Sequence, residues 1–114
     1  MKLLLVGEYG ALLQTLSVAV ARRGFTTAAV GDRYALRDAL KDPPPDAVIF
    51  DHTGRWELIE LNPRGSGFHG PLLLLTDELS SAAAEELRAL LVLRKPFRLA
   101  SLYEQITLLT QTAT

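Results

Sequence analysis

A three-layer α/β/α sandwich on a five-stranded parallel sheet is the fold this sequence predicts. Three observations predict it. Five short apolar runs recur along 114 residues, and segments with helical spacing separate most of them. The first run, Leu3 to Val6, is continuous rather than alternating, as in a strand buried on both faces. Polar and charged residues gather just after the runs, where open α/β sheets place their functional groups.

The elements follow in order. Leu3 to Val6 is the first strand, stopped by Gly7 and Glu8. Leu12, Leu13, Leu16 and Val20 recur at helical spacing, with Arg22 and Arg23 in the last turn and Gly24 as the stop. Phe25 to Val30 is the second strand and Tyr34 to Lys41 a short helix with Leu36, Ala39 and Leu40 on one face. Pro43-Pro44-Pro45 excludes helix and reads as a stiff connector. Ala47 to Phe50 is the third strand, ending in Asp51. A brief helix, Trp56 to Leu61, is stopped by Asn62-Pro63, with Trp56 anchoring it to the core. A Gly-rich loop, Arg64 to Gly70, leads to the fourth strand, Leu72 to Leu75, ending at Thr76. Ser80 and Ser81 can cap a helix Ala82 to Leu90 whose first turn carries Glu85 and Glu86. Leu91 to Leu93 is a short fifth strand running into Arg94-Lys95-Pro96-Phe97. The last helix spans Leu99 to Leu109, with Leu102, Ile106 and Leu109 on one face, and Thr110 to Thr114 is expected to fray.

The totals bound the function. A chain of 114 residues makes one domain, 1–114, able to bury roughly 65% of its unfolded surface. With 48% hydrophobic and 22% charged residues and a net charge of −1, nothing global draws it to nucleic acid or anionic membrane. The group Arg94, Lys95, Arg98 is too short and too poor in interleaved aromatics to argue for DNA. Having no Cys excludes disulfides, thiolate metal sites and cysteine catalysis, and fits a reducing cytoplasm. Lys2, the apolar stretch and Ala19-Val20-Ala21 outline a signal peptide, but Glu8 and Gln14 interrupt it and cleavage would remove the best strand. No run reaches the roughly 20 apolar residues of a membrane span. His52 and His69 stand in different loops without ligand spacing.

If the first, third, fourth and fifth strands are neighbours, Glu8, Asp51, Thr76 and Lys95 meet at one edge of the sheet. Two carboxylates, a hydroxyl and an ammonium suit phosphoryl chemistry: the carboxylates hold Mg²⁺, one of them can accept a phosphoryl group, and the hydroxyl and ammonium stabilise its oxygens. Separate pairing of Glu8 with Lys95 is the plainer use of the same residues.

Over nearly its whole length the chain resembles the receiver domain of bacterial two-component response regulators. The resemblance is carried by "PDAVIFD", ending in Asp51 at the phospho-accepting position; by "LLLLTD", with Thr76 at the hydroxyl position; and by "RKPF", with Lys95 at the lysine position. It implies the flavodoxin-like strand order 2-1-3-4-5 and a site in which Asp51, Thr76 and Lys95 carry the phosphoryl chemistry. It also implies Mg²⁺ held by Glu8, Asp51 and the Thr53 carbonyl. The chain departs from the pattern where receivers place two acidic residues after the first strand. Here they are Gly7 and Glu8, which removes one carboxylate and lowers the attraction for a dication. The Met-Pro and Asp-Gly pairs that commonly follow the acceptor aspartate are replaced by "HTGRWELIELNP", and Val92 stands where an aromatic commonly precedes the lysine.

The resemblance therefore implies a receiver or pseudo-receiver module of two-component signal transduction, not an enzyme beyond self-phosphorylation and dephosphorylation at Asp51. Its partners would be a histidine kinase or another signalling protein, met through the surface of the fourth helix, fifth strand and last helix. Family members pair through the last strands and helix, so a homodimer is allowed. The alternative is a nucleotide-binding Rossmann unit, read from Gly7-x-x-Gly10 between strand and helix and from Asp32 after the second strand. The third Gly of that fingerprint is Leu13.

Overall fold

A computed structural model describes residues 1–7, 11–41, 43–52, 62–76 and 82–113. Strands β1 (Lys2–Gly7), β2 (Thr26–Val30), β3 (Ala47–His52), β4 (Leu72–Thr76) and β5 (Leu91–Arg94) form one parallel sheet in the order β2-β1-β3-β4-β5. Helices α1 (Ala11–Arg22), α2 (Arg33–Ala39), α3 (Ala82–Glu86) and α4 (Leu99–Ala113) flank it. The expected sandwich and its strand order are thus observed. The anticipated helix at Trp56 to Leu61 and the capping Ser80 and Ser81 lie outside the described residues.

Alternation along the strands divides the apolar residues into two cores. Leu3 and Leu5 of β1, Ile49 of β3, and Leu73 and Leu75 of β4 face α1 and α4, meeting Leu13, Leu16, Val20, Leu102, Ile106 and Leu109. Leu4, Val6, Val48, Phe50, Leu72 and Leu74 face the opposite way, onto Leu36 of α2, Leu87 and Phe68. Burial of each such side chain stabilises the fold by about 1.5–3 kcal/mol. The continuous apolar runs in the three central strands are the direct consequence of two covered faces.

Local signals set most boundaries. Gly24 takes φ +91, the left-handed conformation that ends α1. Asp32 caps α2, its Oδ1 accepting from Ala35 N–H at 2.8 Å. The proline connector is tied to β1: Lys2 Nζ donates to Pro43 O at 3.1 Å, and Lys2 N–H donates to Asp46 Oδ2 at 2.8 Å.

Two helix ends differ from the sequence-based expectation. Instead of fraying after Leu109, α4 continues to Ala113. No Gly or Pro interrupts Thr110 to Ala113, and Thr107 Oγ1 and Thr110 Oγ1 turn inward to donate to Tyr103 O and Thr107 O, at 2.9 and 3.1 Å. The helix expected over Ala82 to Leu90 stops instead at Glu86. Arg88 has φ +49, while Ala89 N–H donates to Ala84 O and Arg88 N–H to Glu85 O. This is the Schellman pattern with Arg88 in the left-handed position that Gly usually takes, so no glycine announces it.

Arg64 completes that helix end from the Gly-rich loop. Its Nε donates to Leu87 O at 2.7 Å and one terminal nitrogen to Arg88 O at 3.1 Å; the other reaches Phe68 O and Gly70 O at 3.2 and 2.7 Å. The guanidinium also lies over the Phe68 ring, 5.5 Å from its centre. One side chain thereby fastens residues 62–71 to the end of α3.

Candidate functional site

The carboxyl ends of the central strands form one rim. Register places Gly7 of β1 opposite Asp51 of β3, and Asp51 opposite Leu75 of β4. His52 stands opposite Thr76, and Thr76 opposite Arg94 of β5. Asp51 and Thr76 are the buried polar residues of the described core, at 4% and 0% exposure. Burying a carboxylate is costly unless it is paired. Its partner is Lys95: Nζ forms an ion pair with Asp51 Oδ1, both side chains being largely shielded from solvent. That fully buried oxygen has no hydrogen-bond partner beyond the ammonium among the described residues. Lys95 is held at the backbone too, where its N–H donates to Thr76 O at 2.7 Å.

Asp51 lies within β3 rather than just beyond it, because the strand continues to His52. The pair therefore joins the end of a central strand to the segment leaving the edge strand β5. Thr76 comes with it through the backbone bond to Lys95 and sits diagonally across the β3–β4 register from Asp51. Of the residues the sequence singled out, Asp51, Thr76 and Lys95 share this rim; Glu8 and Thr53 lie outside the described residues.

Gly7 has a role that its sequence context does not announce. A Cβ built on it would stand 3.0 Å from Asp51 Cβ and 3.1 Å from Asp51 O. That is closer than the roughly 3.5–4.0 Å of comfortable carbon contact. Gly7 thus lets β1 approach β3 at the acidic residue, which is a packing role. Asp32, the residue considered for a ribose hydroxyl, uses its Oδ1 to cap α2. Gly10 of the same turn is outside the described residues.

Of the residues expected to hold Mg²⁺, only Asp51 is among the described ones. Among the described residues one carboxylate, Asp51, stands at the rim, and its buried oxygen faces the Lys95 ammonium. Among the described residues no three His, Cys, Asp or Glu side chains come together as metal ligands. Nor, among them, is any helix long and apolar enough to cross a membrane.

No family model matches the sequence, and no curated protein matches it. Solved structures do. The Vibrio cholerae chemotaxis protein CheY4 superposes with a TM-score of 0.74 at 22% identity, over 95% of this chain and 97% of that one. A two-component response regulator from Clostridium difficile gives 0.75 at 15% identity, over 97% and 96%. The receiver domain of the Pseudomonas aeruginosa sensor histidine kinase PA1611, whose structure has a magnesium ion coordinated in its active site cleft, gives 0.68 at 18% identity, over 98% and 96%. The chain has the fold of response-regulator receiver domains.

Proposed function

We propose that this chain is a receiver-type module of two-component signalling that works by protein–protein contact, with the Asp51–Lys95 pair as a standing tie at its rim. The observation that carries the reading is that pair, with buried Thr76 beside it, at the carboxyl edge of a 2-1-3-4-5 sheet. Gly7 favours the standing tie over a phosphate switch, because it withholds a carboxylate from the place where Mg²⁺ would need one. The module turns over no separate substrate. Its partner is a histidine kinase or another signalling protein in the cytoplasm, and a second copy of the chain is compatible with the same surface. Val92 of β5 and Leu99 at the start of α4, both near half exposure, supply apolar surface for that contact.

Asp51 as a phosphoryl acceptor is the second reading, favoured by the ammonium already in place to balance added charge. Amide NMR with Mg²⁺ and beryllofluoride separates the two. The proposal expects spectra unchanged around Asp51, Thr76 and Lys95; saturable shifts there, absent in Asp51→Asn, would establish the switch instead. Saturable shifts on adding a nucleotide, centred on the first turn, would favour the Rossmann alternative.

A further inference from the structure

Arg88 occupies a position that costs less with glycine. Its φ of +49 is left-handed, and an L side chain there is disfavoured by roughly 1–2 kcal/mol. Backbone strain of this kind persists where the surrounding structure holds it, here through the Arg64 bonds to Leu87 O and Arg88 O, and such positions cluster at functional sites. Arg88 lines an open cleft of about 530 Å³ at the amino ends of β4 and β5, across the sheet from Asp51, with its charge close enough to act on Arg64. Arg64, His69 and Arg88 line it together with Gly70, Pro71, Ala89 and Leu90, and among the described residues no acidic one does. Among the described residues neither guanidinium pairs with a carboxylate. Arg64 spends its donors on backbone carbonyls, and burial, followed by the charge of Arg88, lowers its pKa from the ordinary value. Two guanidiniums and an imidazole around one cavity leave positive charge unbalanced, in a volume typical of small-molecule sites.

We propose that this cleft binds a phosphate-type oxyanion, free or carried by a small organic molecule, with Arg88 as its principal donor and Arg64 as the charge behind it. Leu90 and Pro71 give the apolar wall against which an organic portion would rest. This site is separate from the Asp51 rim and does not rest on the signalling reading.

The test uses the whole chain, labelled with ¹⁵N, titrated with inorganic phosphate and with a mononucleotide at ionic strength held constant with sodium chloride. The expected result is saturable shifts at residues 69–71 and 88–90 with either probe, and the tighter of the two identifies the source of the anion. Arg88→Gly relieves the left-handed strain, so it is expected to fold at least as stably as the parent while weakening anion binding about tenfold or more. Shifts no different from those of chloride alone, or undiminished binding in Arg88→Gly, would overturn the proposal. So would Arg88→Gly melting below the parent in phosphate-free buffer, because Arg88 would then be retained for stability.

Discussion

At the scale of residues, the rim is held by a buried carboxylate and its ammonium partner. Lys95→Met leaves the shielded Asp51 carboxyl without the ammonium it faces, and should cost about 3–5 kcal/mol in urea unfolding. Replacing both members, Asp51→Leu with Lys95→Met, should recover much of that loss, because the cost lies in the orphaned charge rather than in the missing pair. Gly7→Asp, which restores the acid the receiver pattern has there, should destabilise by about 1–3 kcal/mol, since its Cβ meets Asp51 Cβ at 3.0 Å and β1 and β3 must part to admit it. Asp51, Thr76 and Lys95 were legible as a group because strand ends in an open α/β sheet share an edge, and the motifs ending in "FD", "LTD" and "RKPF" mark those ends. The direct contact of Asp51 with Lys95 was not legible: Glu8 offered the same ammonium an equally good partner on paper.

At the scale of elements, the strands were legible to within two residues at either end, because continuous apolar runs leave little choice once both faces are covered. The helix ends were less so. A C-terminus signalled by Gly24 was found; one built on Arg88 was not, since its left-handed turn rests on Arg64 bonds to backbone carbonyls, which leave no trace in a sequence. That dependence is testable. Arg64→Ala removes four charge-assisted bonds to carbonyls and should cost about 2–4 kcal/mol, with faster amide exchange at Arg88 to Leu90. Arg64→Lys should rescue little of this, because an ammonium lacks the planar fork that reaches both segments. In α4, Leu109 is fully buried against the sheet, so Leu109→Ala should cost about 2–5 kcal/mol.

At the scale of the whole molecule, a receiver fold is present at 15–22% identity to its solved counterparts. What is shared with them is the fold; in this chain its rim carries the Asp51–Lys95 pair, with Gly7 packed against Asp51. A fold can host more than one use of the same rim, so function has to be decided at the rim itself. The deciding measurement is the intact mass of the protein after incubation with Mg²⁺ and a small phosphodonor such as acetyl phosphate, with Asp51→Asn in parallel. A standing Asp51–Lys95 tie predicts no phosphoryl adduct on either protein. A stoichiometric adduct on the parent that is missing from Asp51→Asn would contradict it and make this rim a phosphate switch.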